Sequence, residues 1–278
     1  MPVAPADPKA KPREDGRLQL AGGAIRKAMR QLGTRLPQAV TAVPTSAVIA
    51  KILTFPASQN EDDIEAQIEL EAEQYIPYPL EDVSLDFFVV GPSEKLPGSV
   101  DVQVVASRKE YVEDRAAALE WAGLRAAAVD VESFAMMRAC ARLMAQQSGD
   151  PDEVYAISDA GDNTTSLVVF HRQQMLYTRA QTFGGRQLSE EIQRHYGIPR
   201  EQAERARRYG GLPDDYETAV YRPFVEALGQ QINRSLHLFR ASQPQVNLTR
   251  LYLAGGCAAD DGVLRAVDAT GQRILDDV

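Results

Sequence analysis

Asp159, Gly161, Thr164 and Thr165 fall in one short polar segment, Asp159-Ala160-Gly161-Asp162-Asn163-Thr164-Thr165, between the apolar runs Val154–Ile157 and Leu167–Phe170. A glycine lets backbone N–H groups approach an anion. Threonine hydroxyls donate to phosphate oxygens, and an aspartate holds a hydrated Mg²⁺. Residues of this kind, so spaced, make a phosphate loop. They also make an ordinary hairpin turn, because Gly, Asn and Asp tolerate the backbone angles that hairpins need. Both readings stand on this segment alone. Two more glycine turns bear on the choice. Gly184-Gly185-Arg186 leads into a helical pattern and would set a helix N-terminus near anionic groups. Gly255-Gly256 follows an apolar strand and, bare of side chains, would let a purine slide against the backbone. Singly, such pairs are turns or helix caps; together, in a strand-rich half of the chain, they describe a nucleotide site.

The elements that must position these turns follow from periodicity. Apolar residues at helical spacing (Leu20, Ala24, Ile25, Ala28, Met29, Leu32) predict a helix over 18–32 that Gly33 stops. Strands are expected over 39–43 and 47–55, around Pro44-Thr45-Ser46. A helix over 60–76 has Asn60 as N-cap and an apolar stripe of Ile64, Ile68, Ala72 and Tyr75. Its other faces carry Glu61, Asp62, Asp63, Glu65, Glu69, Glu71 and Glu73, a solvated face or a docking surface for a basic partner. Pro77 and Pro79 end it. A hairpin over 85–106, a helix over 108–122, a strand over 124–131 and a helix capped by Ser133 over 133–147 complete the first half. The polar Ser148–Asp152 segment is a domain boundary. Beyond it come strands over 154–159, 165–170 and 174–178, helices over 187–196, 199–209 and 215–242, and a strand over 248–253. Pro223 is a candidate for the true start of the third helix. Residues 259–278 hold one or two more helical turns and no closing element.

Composition narrows the function classes. A chain of 278 residues with 44% hydrophobic and 25% charged residues is an ordinary globular protein of one large or two medium domains. Its net charge of −9 argues against nucleic-acid binding. No stretch approaches the roughly 18 apolar residues of a membrane span, and no N-terminal apolar run resembles a signal peptide, so a cytoplasmic location is expected. Cys140 and Cys257 stand in unrelated patterns, and His171, His195 and His237 lack ligand-like spacing. Neither a disulfide nor a zinc site is indicated.

Longer segments carry a family resemblance. They are Gln67–Leu80 with Leu85-Asp86-Phe87, Ala106–Glu110, Phe183–Leu188, Gly210–Tyr216 and Leu253–Gly256. Over roughly residues 20–270 the chain resembles the type IV pilus assembly PilM family, an actin-like ATPase fold related to the cell-division protein FtsA. The resemblance implies an α/β, actin-like (ribonuclease-H-like) two-domain fold with an inserted small α+β subdomain. Residues 1–17 would be a disordered lead-in, 18–53 and 124–151 an incomplete first domain, 54–123 the insert and 152–278 the second, nucleotide-facing domain with an incomplete C-terminal end. It implies ATP and Mg²⁺ as cofactors. Asp159, read above as the metal-holding carboxylate, falls with Gly161 and Thr165 on the second phosphate motif, beside Thr164, and the Gly184-Gly185 turn lies in a matched segment. Glu204 and Arg207 match the acid–base pair turned toward the ribose, with arginine where lysine is usual. Gly255 and Gly256 fall on the adenosine motif. The family's first phosphate motif is not seen; the proline-rich residues 1–16 stand in its place, by truncation or by divergence. A half clamp is expected to bind ATP·Mg²⁺ poorly and to turn it over weakly at most.

The function this resemblance implies is a cytoplasmic scaffold, peripheral at the inner membrane through its partners, in a machine that drives twitching motility. Its partner would be the cytoplasmic N-terminal tail of PilN, held in a groove between the first domain's core and its insert. The acidic 61–73 helix is expected to edge that groove for an apolar and basic tail. PilO, the motor ATPase and a PilZ-type adaptor are further expected partners, with no nucleic acid and only indirect membrane contact. The alternatives are an active ATPase or sugar-kinase-like phosphotransferase, with Asp130 or Asp162 as base, and an α/β domain without a ligand.

Overall fold

The computed structural model describes residues 15–146, 152–172 and 174–267, and the chain divides into two units, Met1–Arg138 and Ala139–Val278. In the first unit the acidic helix forms as its sequence demands. Asn60 caps α2 (Glu61–Ala72), its Oδ1 accepting from the Asp63 N–H at 2.9 Å, and three acids occupy the first turn. The helix ends four residues before the expected limit. The N–H groups of Tyr75 and Ile76 both turn back to the Ala72 carbonyl, and Pro77 follows. Ile64, Ile68 and Ala72 are buried, as the stripe predicts.

α2 packs on an antiparallel sheet of β2 (Val48–Pro56), β4 (Ser99–Arg108) and β3 (Val83–Pro92), with β4 central. Phe55, Val102 and Val104 meet Ile64 and Ile68 there. The expected hairpin over 85–106 is this β3–β4 pair. The remaining strands, β1 (Gln38–Val43) and β5 (Arg125–Val131), form a parallel pair from Gln38↔Arg125 to Val43↔Val131. Between β4 and β5 runs α3 (Lys109–Trp121), and α1 (Gly16–Gln31) packs against it through Leu18 and Ile25 on Ala117, Ala118 and Trp121.

α1 corrects the sequence reading twice. Its N-cap is Asp15, so Gly16 and Arg17 belong to the helix and not to a lead-in; residues 1–14 lie outside the described residues. The buried face is Leu18, Gly22 and their neighbours, while Leu20 is 77% and Leu32 76% exposed. Two apolar stripes compete on this helix. Gly22 decides between them: it lies so close to α3 that a Cβ there would meet the Trp121 Cβ and stand 2.9 Å from the Trp121 carbonyl carbon. α4 (Glu132–Gln146) supplies another correction. Ser133 lies inside its first turn and does not cap it; the buried Ser133 Oγ lacks a partner, and the Ser133 N–H donates to Thr45 Oγ1.

The second unit is built on a four-stranded sheet in the order β8 (Gln174–Gln181), β7 (Thr165–His171), β6 (Val154–Ala160), β9 (Arg250–Ala254). β6 and β7 pair antiparallel, β6 and β9 parallel. β6 and β7 are buried along most of their length, and α7 (Arg222–Ser242) covers the sheet with Phe224, Leu228, Ile232, Leu236 and Phe239. The helix expected from Asp215 opens as one π-turn, Glu217–Tyr221, before α7 proper. Pro223 is the reason. It has no N–H, and its ring crowds the carbonyl four residues back, so the preceding turn widens and the Arg222 N–H reaches Glu217 O. α5 (Gly185–Tyr196) and α6 (Arg200–Tyr209) lie before it, and residues 261–267 are helical; 268–278 lie outside the described residues.

Candidate functional site

β6 ends in the polar segment. The Gly161 N–H donates to Thr164 O at 2.9 Å and closes the turn between β6 and β7. Asp159 sits one step back in the strand, between Ser166 of β7 and Ala254 of β9. Half-burial in the sheet pushes its carboxyl above the ordinary range. Gly255 follows β9 with φ +89°, and a Cβ on it would meet Asp159 Oδ1. The adenosine-type turn and the phosphate-type turn thus touch through the one aspartate.

α5 is clamped to the same turn. Gly185 N–H donates to Gly161 O at 3.0 Å and Arg186 N–H to Asp162 O at 2.8 Å. The Gln187 side chain caps the helix, its Oε1 accepting from the Gly184 N–H at 2.8 Å. The first amides of α5, expected to face an anion, therefore bind the loop. Thr165 is also turned inward: it is buried, and its hydroxyl donates to Phe183 O at 2.8 Å. Thr164 stays exposed at the turn.

α6 brings Glu204 and Arg207 to this place. Arg207 Nη1 donates to Gly185 O, and its Nη2 lies 3.8 Å from Asp162 Oδ1. Glu204 pairs with Arg200 at 2.7 Å, which holds the Glu204 carboxyl below its usual range. Together these elements wall a cavity of about 870 Å³. Of the sequence-predicted residues, Gly161, Gly185, Glu204, Arg207 and Gly256 line it. Asp159, Thr164, Thr165, Gly184 and Gly255 do not; all but the exposed Thr164 build or brace the turn beneath it. Sequence reasoning missed Arg208, Tyr216, Cys257 and Asp260 in the wall. Arg208, Cys257 and Asp260 adjoin residues already singled out and Tyr216 ends the Gly210–Tyr216 segment, but only the fold brings these stretches to one wall. Burial raises the Tyr216 hydroxyl to about 12 and pushes the Cys257 thiol up.

The cavity fits a nucleotide at its nucleoside end. Glycines bare the wall, Glu204 offers acceptors and Arg207 donors. Asp159 lies beneath the cavity, and the carboxylates in its wall are Asp162, Glu204 and Asp260; among the described residues no cluster of three or more His, Cys, Asp or Glu could hold a metal by itself, so Mg²⁺ would need water and phosphate for its other ligands. Of the two candidate bases, Asp130 is spent in the first unit, where it pairs with Arg138 and accepts from the Val131 N–H at 2.8 Å.

The raised Asp159 carboxyl has a measurable consequence. An acid whose folded pKa exceeds its unfolded value binds its proton more tightly when folded, so stability falls as pH rises through that window. Asp159→Asn should therefore stabilise the ligand-free chain at neutral pH and leave its stability unchanged at about pH 2, below both values. Urea midpoints at the two pH values test this; equal shifts at both contradict it.

The first unit holds a second recess of about 460 Å³. Ile49, Ile76, Val83 and Ala106 give it an apolar floor, and Tyr78, Arg108, Tyr111 and Arg115 a cationic, aromatic rim. The Arg108 guanidinium lies 5.5 Å from the Tyr78 ring centre and 5.7 Å from that of Tyr111. None of the α2 acids lines it; the recess is walled by the Ile76–Tyr78 turn and by α3.

Comparison with known proteins agrees with this architecture. A family model described as type IV pilus assembly protein PilM matches residues 17–274. A solved PilM–PilN type IV pilus biogenesis complex is 30% identical, covering 96% of this chain and 77% of that one with a TM-score of 0.73. The ethanolamine utilization protein EutJ from Carboxydothermus hydrogenoformans is 20% identical over 96% of this chain and 70% of its own, with a TM-score of 0.52, a likeness of fold alone. The fold is the actin-like α/β fold expected from the sequence.

Proposed function

The chain belongs to the type IV pilus assembly protein PilM family, and from that premise we propose that it is a cytoplasmic scaffold of the pilus machine that holds the N-terminal cytoplasmic tail of PilN. The observation that carries this reading is the recess of the first unit. Its apolar floor and aromatic rim suit an extended peptide, which gains affinity from apolar side chains set in pockets. Through that tail the protein would stay peripheral to the inner membrane and link the alignment complex there to the motor; among the described residues no helix is long and apolar enough to cross a membrane.

A synthetic peptide of the PilN tail should bind the full chain, and Tyr111→Ala should weaken it about tenfold, as loss of an aromatic anchor does. Fluorescence anisotropy reads both. A folded chain that ignores the peptide refutes the proposal.

The second unit's cavity supports a nucleotide role beside this. In this reading Glu204 and Arg207 face the ribose, Gly255 and Gly256 pass the purine, and Asp159 holds a hydrated Mg²⁺. ATP with Mg²⁺ should raise the thermal midpoint without releasing phosphate. Release would favour the alternative, an active ATPase or phosphotransferase.

A further inference from the structure

Arg115 stands out in the rim of the first unit's recess. α3 carries it into the wall, and its Nε donates to Ala42 O of β1 at 3.0 Å. A guanidinium has five N–H donors in a planar fork, and this contact uses one. Arg115 is half-buried in the wall of the recess. Its neighbour Arg108 is differently placed, with Glu110 at 2.9 Å and two tyrosine rings beside it. Arg115 makes no ion pair among the described residues, and no acidic side chain lines the recess. Its remaining donors are therefore open to an acceptor on whatever binds there.

We propose that Arg115 is the specificity-determining residue of this groove, and that it reads an oxygen acceptor on one side chain of the bound peptide. The inference rests on the recess being the site of the PilN tail. The Ala42 contact fixes the guanidinium plane before binding, so little side-chain freedom is lost when the ligand arrives. A carboxylate or carboxamide oxygen meets the fork in its own plane, and a carboxylate can take two of its donors at once. A lysine would keep the charge and lose that geometry. The preferred ligand is then an extended apolar segment interrupted by one Asp, Glu, Asn or Gln. Basic residues of the tail would lie outside the recess, away from Arg108 and Arg115.

The test is a double-mutant cycle. Each Asp, Glu, Asn and Gln of the synthetic PilN-tail peptide is replaced by alanine, and each peptide is titrated onto the full chain and its Arg115→Ala and Arg115→Lys variants. One peptide position should cost about tenfold on the natural chain and less than about twofold on Arg115→Ala, because the interaction is already gone. Asp/Asn exchange at that position separates the sources: a carboxylate loses affinity as the amide and binds less tightly in high salt, whereas a carboxamide keeps or gains affinity as the acid and loses it only as alanine. Arg115→Lys keeps the stem and the charge, so it serves if the alanine variant does not fold; it should also lose the preference. Losses that simply add, or a peptide with no sensitive acceptor, overturn the role of Arg115 while the groove survives, provided Tyr111→Ala still weakens binding. A folded natural chain that binds no peptide overturns the groove itself.

Discussion

Replacing Gly255 by alanine is expected to lower the stability of the second unit by about 3–5 kcal/mol, from backbone strain and overlap together. Gly255 has φ 89° and ψ 172°, a region essentially restricted to glycine. A Cβ there would meet Asp159 Oδ1 and come within 2.5 Å of Ala160 O. Those atoms belong to β6 at the centre of the sheet, where the chain cannot retreat without breaking its pairing with β7 and β9. Gly256 is the matched control, since a Cβ on it meets nothing within 4 Å. Gly256→Ala should leave the urea midpoint almost unchanged and act only on a nucleotide at the cavity wall it lines. Far-UV circular dichroism reports the loss. Trp121, the one tryptophan of the sequence, lies in the other unit and its fluorescence is expected to change little. Equal behaviour of the two variants would contradict this account.

The difference between those glycines was not legible in the sequence, which presents them as a pair. Spacing located the turn correctly, because an apolar strand followed by two glycines allows little else. It did not separate the glycine that the backbone needs from the one the cavity needs, since that depends on β6, almost a hundred residues earlier. Thr165 teaches the same lesson. Its place in a phosphate-type motif suggested a donor to phosphate, yet its hydroxyl is taken by Phe183 O, a partner set by how β7 meets the start of α5. Strongly patterned elements were read well: the α2 stripe, the strands of the three sheets and the α7 face depend on period alone. α1 was misread where two stripes competed and a glycine contact chose between them. The rim of the first unit's recess was likewise hidden. Tyr78 comes from one segment and Arg108 and Arg115 from another, and they share a wall only once the chain has folded. The acidic α2 drew attention by its composition, but composition says nothing about which side of a sheet a helix covers.

Gly184→Ala should cost about 2–4 kcal/mol for a purely steric reason, and this separates it from Gly255. The φ of Gly184 is 177°, ordinary extended backbone that alanine adopts freely. The obstacle is that a Cβ would meet Gly161 O and lie 2.7 Å from Asp162 O. These two carbonyls accept from Gly185 N–H and Arg186 N–H, so a methyl group there wedges α5 away from the turn and strips both bonds. Gly185→Ala makes the contrasting case. Its Cβ would stand 2.8 Å from Arg207 Nη1, the free end of a long side chain that can swing aside. That variant should keep most of its stability while releasing Arg207 from the position that faces the cavity. If the two alanine variants instead lose the same stability, the α5–turn clamp is not what holds this edge of the cavity, and the packing of α5 on α6 must carry it.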